Sequence, residues 1–182
     1  YVLTMPQLQA IFDNTESTSG EYALANIMKA YTFQRYTDQF GPVPYFHAGS
    51  TASDIPYDSQ ESIYDDLFKR LDSAVVNLKN GGVNNIFGTQ DLIYAGDVSK
   101  WIKFANTLRL RMALRISRVD PARAQQEAEA AIASGVMTEN IESATIERSL
   151  NGDDANGLAF NAANNEFSMS STMASYLKGY QD

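Results

Sequence analysis

The sequence predicts an all-α protein, a tetratricopeptide-like helical-repeat scaffold with long irregular loops. Apolar residues recur at every third or fourth position in several separate segments, which is the spacing of one helix face. Residues that favour helix starts and ends flank these segments. No segment alternates apolar and polar residues for long enough to predict a sheet. Pairs of helices of this length favour a repeat arrangement, although their spacing departs from a consensus array.

The clearest helix is predicted over residues 59–79. Asp58 is the expected N-cap, and Glu61 three residues later completes an aspartate version of the capping box. Gly81 and Gly82 end the helix. The apolar stripe of this helix consists of Ile63, Leu67, Leu71, Ala74 and Leu78.

Further helices are predicted over residues 21–40, 98–118, 121–134 and 168–178, and Met5 to Phe12 suggest one more. The segment 98–118 is apolar nearly all round, which predicts packing on two sides. Asp120 and Pro121 fit the N-cap and the first helical position of the next helix. That helix has an alanine-rich face, so we expect it to form a tight hairpin with 98–118.

Three long loops separate the predicted helices, at residues 41–57, 81–97 and 136–167. Loops of this length in a compact domain are usually functional or disordered. The chain starts at Tyr1 and stops shortly after a helical pattern. We therefore expect residues 1–182 to form a single partial domain, cut from a longer protein.

The composition is that of a globular protein and excludes several functions. Hydrophobic residues make up 44% and charged residues 20% of the 182 residues. The formal net charge of −8 argues against nucleic acid and anionic membranes as partners. Cysteine is absent, which removes thiol nucleophiles and cysteine metal sites. No apolar segment is long enough to span a bilayer.

No pattern in the sequence predicts a catalytic residue, a metal site or a cofactor. His47 is the only histidine and has no carboxylates at a recognised ligand spacing. The stretch NGDDANG at 151–157 lacks the first ligand and the final glutamate of a calcium loop. Asp65 and Asp66 are adjacent on a helix, so their side chains point about 100° apart and cannot share one substrate.

The segment YTDQFGPVPY at 36–45 predicts a structural corner. Gly41 would end the helix with a positive φ, and the prolines would stiffen the exit. Asp38 would accept hydrogen bonds from turn amides or pair with Arg109 or Arg111. Arg109 shares a partly buried stripe, so it either forms an ion pair with a neighbouring helix, which we favour, or binds an anionic ligand.

Four segments in order resemble the SusD/RagB family of Bacteroidetes outer-membrane lipoproteins. They read AYTFQRYTDQFGPVPYFHA, YDSQESIYDDLFKRLDSAV, DLIYAGDVSKWIKFANTLRLRMALRIS, and a final helix that starts with DPA and ends in AIASGVM. The residues that match the corner and helix motifs of the family, which we interpret as scaffold, are Asp38, Gly41, Pro44, Trp101, Asn106, Arg109 and Arg111.

The resemblance implies a non-enzymatic protein on the outer face of the outer membrane. Such proteins are held by an N-terminal lipid, which this chain does not contain. They cap a SusC-like TonB-dependent transporter and capture a nutrient, commonly a glycan or oligosaccharide. The resemblance also implies the helical scaffold that the periodicity predicts independently.

Aromatic residues in the loops are the candidates for ligand binding. Sugars stack on exposed aromatic rings, and a polar rim of amides and carboxylates completes such a site. Two alternatives remain open, a helical-repeat module that binds other proteins and a receptor for peptides. The candidate residues are Tyr45, Phe46, Tyr57, Phe87 and Tyr94.

Overall fold

The computed structural model describes residues 4–48, 54–82, 85–146 and 169–180. Within these ranges the chain is helical and contains no β-strand, so the all-α prediction is confirmed. The acidic stretch at 151–157 lies outside the described residues. The helices are α1 (Thr4–Asn14), α2 (Gly20–Phe40), α3 (Gln60–Asn80), α4 (Val98–Ile116), α5 (Pro121–Ser134) and α6 (Ser171–Tyr180).

The chain divides into two compact units, residues 1–145 and 146–182. The first unit contains α1 to α5 and the second contains α6. The interpretation of residues 1–182 as one partial domain stays a prediction. In the described part of the chain, no helix combines the length and the apolar character needed to cross a membrane.

In the first unit, consecutive helices pack as pairs. Helix α2 packs on α3, and α4 packs on α5, while α3 contacts α4 and so joins the two pairs. Helix α1 packs against α2. Each large apolar side chain removed from water contributes about 1.5–3 kcal/mol, so this shared core is the main stabilising term. The largest fully buried apolar side chains of the helices are Ile27, Phe33, Ile63, Leu67, Leu71 and Met112.

The helix starts follow local sequence signals, with one correction. Asp120 caps α5 by accepting from the Arg123 N–H at 3.1 Å, and Pro121 occupies the first turn, as predicted. The prediction that Asp58 caps α3 is wrong. Ser59 is the N-cap, and its hydroxyl accepts from the Ser62 N–H at 3.1 Å.

The carboxylate of Asp58 instead accepts from the chain that leaves α2. Its Oδ2 accepts from the N–H of Tyr45 at 2.8 Å and from that of Phe46 at 2.9 Å. The backbones of Val43 and Asp58 also form an antiparallel bridge. Asp58 is therefore a clamp between the corner and the start of α3.

The corner itself has the predicted backbone. Gly41 ends α2 with φ 74°, and its N–H donates to the Thr37 carbonyl at 2.8 Å. The Thr37 hydroxyl donates back to the Gly41 carbonyl at 2.7 Å. Pro44 follows the bridged Val43, so the exit from α2 has a fixed direction.

Asp38 has a different arginine partner from the two that the sequence suggests. It pairs with Arg115 at 3.1 Å, and it accepts from the Tyr64 hydroxyl at 2.5 Å and from the Gln34 amide. Arg111 donates to the Gln34 side-chain oxygen at 2.6 Å. Asp38 thereby joins α2 to both α3 and α4.

The other matched residues on α4 hold the helix to its neighbours. The Trp101 indole donates to Asp91 at 2.7 Å, and the buried Asn106 amide donates to the Gly135 carbonyl at 2.9 Å. Arg109 pairs with Glu127 of α5 at 2.6 Å and with Asp72 of α3 at 3.0 Å. The structural ion pair that we favoured for Arg109 is confirmed.

One lysine of α2, Lys29, is buried among aromatic rings. The Nζ of Lys29 lies 4.9 Å from the ring centroid of Tyr45 and 5.9 Å from that of Phe12. Burial lowers the pKa of Lys29 to about 8; nearby Arg70 adds to this, and Asp66 opposes it. The folded protein thus destabilises the charged form of this lysine.

We predict that Asp38→Asn lowers the free energy of unfolding by about 1–3 kcal/mol, because a neutral amide replaces a carboxylate with three partners. Urea denaturation of the intact protein measures this. Asp54→Asn, at an exposed position, is the control and should change little. Equal midpoints for the two variants would contradict a stabilising role of Asp38.

Lys29 predicts a pH dependence of stability. Its pKa is about 8 when folded and 10.5 ordinarily, so between these values the unfolded chain binds more protons. Stability from this residue therefore rises as pH rises from about 8 to 10. Above that range the tyrosine pKa values raised by burial act in the opposite direction.

We expect Lys29→Met to remove this rise, as seen by thermal melts at pH 7, 8, 9 and 10. Methionine has a similar length and no charge to desolvate, so the variant should be at least as stable at pH 7. Lys69→Met, on an exposed part of α3, is the matched control. Parallel profiles for wild type and Lys29→Met would refute the assignment.

Candidate ligand-binding surface

A cleft of about 540 Å³ separates α1 from the chain that follows the corner. We call it the α1–corner cleft. It combines an aromatic ring, an imidazole, an amide and a carboxylate on an otherwise apolar floor. Its lining residues are Met5, Pro6, Gln9, Ala10, Asp13, Phe46, His47 and Ala48.

Phe46 is the aromatic ring of this cleft, and its position is well fixed. Its side chain is 51% exposed, which leaves ring surface open to a ligand. The Asp58 carboxylate holds its backbone N–H at 2.9 Å. The Tyr45 ring meets the Phe46 ring edge-on with centroids 4.9 Å apart. A ring positioned in advance loses little freedom on binding.

Tyr45 lies next to Phe46 but points into the core. It is only 1% exposed, and its hydroxyl donates to Asp66 and accepts from Arg70 at 3.0 Å. Burial raises the pKa of Tyr45, the Asp66 contact raises it further, and Arg70 opposes the shift. No ring face of Tyr45 is open to a sugar, so the structure removes this residue from the candidates.

Tyr94 is also buried, with 7% exposure. Its hydroxyl donates to the Glu142 carbonyl at 2.8 Å, and its ring packs edge-on against Trp101 with centroids 5.3 Å apart. Burial, followed by nearby Asp91 and Glu142, raises its pKa to about 12. Tyr94 therefore belongs to the scaffold around the start of α4.

The remaining two candidates are exposed but do not join Phe46. Tyr57 is 72% and Phe87 41% exposed, and neither lines the α1–corner cleft. Phe87 has a left-handed backbone, with φ 63°, just before a short 3-10 turn. The structure thus brings one predicted aromatic residue, Phe46, together with polar groups.

Two polar groups of the cleft, Gln9 and Asp13, come from α1, which the sequence analysis did not include among the candidates. The Gln9 amide donates to the Asp13 carboxylate at 2.8 Å across one helical turn. These two side chains and His47 offer donors and acceptors around Phe46. The sequence shows that Gln9 and Asp13 are four residues apart. It gives no local signal that they line the same cleft as Phe46, which is more than 30 residues away in the chain.

A second cleft, of about 590 Å³, lies at the ends of α2 to α5. Its charged residues are largely satisfied by each other. Arg115 pairs with Asp38 at 3.1 Å, and Arg123 pairs with Asp65. Burial and the Asp38 contact raise the pKa of Tyr64, which keeps its hydroxyl a donor. This cleft is therefore lined mainly by salt bridges that connect helices.

Comparison with known proteins gives a consistent result. The family model "SusD-like: Susd and RagB outer membrane lipoprotein" matches residues 1–182. A chitin-binding SusD homologue from Flavobacterium johnsoniae is 37% identical, with a TM-score of 0.82 over 98% of this chain and 38% of that chain. No curated protein matches the chain.

Two further solved structures have the same fold. A SusD-like protein from Bacteroides thetaiotaomicron is 37% identical, with a TM-score of 0.74 over 79% of this chain and 30% of that chain. A chitin-binding protein is 36% identical, with a TM-score of 0.76 over 98% of this chain and 38% of that chain. This chain thus spans about a third of the length of these relatives. The resemblance drawn from the sequence motifs is confirmed, and the chain belongs to the SusD-like family of outer-membrane lipoproteins.

Proposed function

We propose that this protein is the nutrient-binding component of an outer-membrane uptake complex and that its ligand is a glycan. The observation that carries the proposal is the α1–corner cleft, where Asp58 fixes an exposed Phe46 beside Gln9, Asp13 and His47. Membership of the SusD-like family supports the cell-surface role. The family description also supports attachment by a lipid.

The ligand that we propose to test first is a chitin oligosaccharide. Two of the similar structures are described as chitin-binding. A pyranose ring presents a face of C–H groups that can pack on the Phe46 ring. Its hydroxyl and acetamido groups would hydrogen-bond with the Gln9 amide and the Asp13 carboxylate.

We propose that the protein binds its glycan without cleaving it. Glycoside hydrolysis generally uses two carboxyl groups on opposite sides of the bond that breaks. Among the described residues that line the α1–corner cleft, Asp13 supplies the carboxylate, and Gln9 accompanies it. This composition suits recognition better than acid–base chemistry.

We also propose a SusC-like TonB-dependent transporter as the partner. Family membership supports this partner, since SusD-like proteins cap such transporters. Helical-repeat scaffolds bind proteins through extended surfaces, which the paired helices of the first unit provide. Co-purification of the intact protein with a transporter barrel from the same organism tests this part, and a free monomer under conditions that preserve such complexes would contradict it.

Phe46→Ala should weaken binding of chitohexaose to the intact protein by about tenfold, since an aromatic contact of about 1.4 kcal/mol is lost. Isothermal titration calorimetry gives the affinity. Phe40→Ala is the matched control, because Phe40 is an exposed phenylalanine outside the cleft. Equal affinities for the two variants would exclude the cleft as the site. Binding of peptides in place of any glycan would overturn the ligand class.

Asp58→Ala should also weaken chitohexaose binding, by about threefold to tenfold, although Phe46 itself is unchanged. The variant removes the acceptor of two backbone N–H groups, so the ring is no longer held in one position. Calorimetry again measures the effect. Asp54→Ala, in the same connection, serves as the control. An unaltered affinity in Asp58→Ala would show that the clamp does not position the ring.

A further inference from the structure

A third surface feature lies between α2 and α4, on residues that the α1–corner cleft does not use. It is a shallow groove of about 330 Å³, which we call the arginine groove. Its members are mostly cationic or amide side chains, with one carboxylate. They are Tyr31, Gln34, Arg35, Asp38, Gln39, Arg111 and Arg115.

The charge of this groove is opposite to that of the chain. Three guanidinium groups face one carboxylate there, while the whole chain has a net charge of −8. Asp38 is already engaged by Arg115, by the Tyr64 hydroxyl and by the Gln34 amide. Positive charge therefore remains at Arg35 and Arg111.

Arg35 and Arg111 differ from other arginines of the first unit in the partners they contact. Arg70, Arg109 and Arg123 each pair with a carboxylate. Arg35 donates to the Tyr31 hydroxyl at 2.8 Å, and Arg111 donates to the Gln34 oxygen at 2.6 Å. Both of these acceptors are neutral, so neither one offsets the guanidinium charge.

The two guanidinium groups are held in place by the same aromatic ring. Their central carbons lie 5.5 Å (Arg35) and 5.9 Å (Arg111) from the Tyr31 ring centroid. The side-chain oxygen of the buried Gln34 orients Arg111 by accepting its hydrogen bond. Both arginines are exposed, and each of these hydrogen bonds uses one of the five N–H donors of a guanidinium. The planar donor pairs match the two oxygens of a carboxylate.

We propose that the arginine groove binds the carboxylate of an acidic sugar. Arg35 and Arg111 would bind the carboxylate, and the exposed amide of Gln39 would hydrogen-bond with ring hydroxyls, while the buried Gln34 holds Arg111 in place. The volume of the groove suits one sugar ring, which favours a uronic acid residue over a longer acidic peptide segment. The groove thus adds a charge-selective subsite to a chain whose net charge is −8.

The test uses the intact protein and digalacturonate, with the methyl ester of the same disaccharide as a neutral probe. Calorimetry is performed at low salt, because salt screens exposed charge pairs. Digalacturonate should bind at least tenfold tighter than the ester, because the ester has no carboxylate charge for the arginines to pair with. Arg35→Gln with Arg111→Gln should weaken digalacturonate binding at least tenfold. Arg118→Gln, an exposed arginine outside the groove, should bind like wild type.

Several outcomes would overturn the proposal. These are no binding of digalacturonate, equal binding of the ester, equal weakening by Arg118→Gln, or tighter binding of a hexaglutamate peptide. If the double variant unfolds at a lower temperature, Arg35→Gln alone replaces it, because the observed partner of Arg35 is on its own helix. Phe46→Ala should leave digalacturonate binding unchanged, so the result is independent of the α1–corner cleft.

Discussion

The carboxylate of Asp58 determines where the chain runs after α2, and the surface of the first unit depends on this contact. It accepts from two consecutive N–H groups, next to the backbone bridge between Val43 and Asp58. A turn begins at Phe46, where the Ala48 N–H donates to the Tyr45 carbonyl at 3.3 Å. Tyr45 enters the core, where Asp66 anchors it, and Phe46 faces the cleft. One contact thus joins the packing of α2 on α3 to the position of a candidate binding residue.

The features that sequence reasoning predicted well are encoded by neighbouring residues. The all-α class follows from apolar spacing. The start of α5 follows from Asp120 and Pro121, and the end of α2 follows from Gly41. The ion pair of Arg109 could be anticipated because a guanidinium on a partly buried stripe needs a charged partner, and α5 supplies Glu127. Such inferences need only helix periodicity and the cost of burying charge.

The features that it missed depend on contacts between distant segments. Asp58 and Ser59 are both residue types that favour N-cap positions. Because the Asp58 carboxylate accepts from the backbone of the corner, Ser59 caps α3. Asp38 pairs with Arg115, one helical turn beyond the predicted Arg111, because long flexible side chains on one face compete for the same carboxylate. The approach of α1 to Phe46 leaves no local signal, so half of the candidate site could not be anticipated.

The side-chain amide of Gln34 has a consequence for which residues this position can accept. Its oxygen faces Arg111, which can only donate, and its nitrogen faces Asp38, which can only accept. Glutamate would repel the aspartate, lysine would repel the arginine, and an apolar residue would leave both charges without this partner. Position 34 therefore accepts only a neutral side chain whose donor reaches Asp38 and whose acceptor reaches Arg111. This restriction holds although the residue is buried and contacts no ligand.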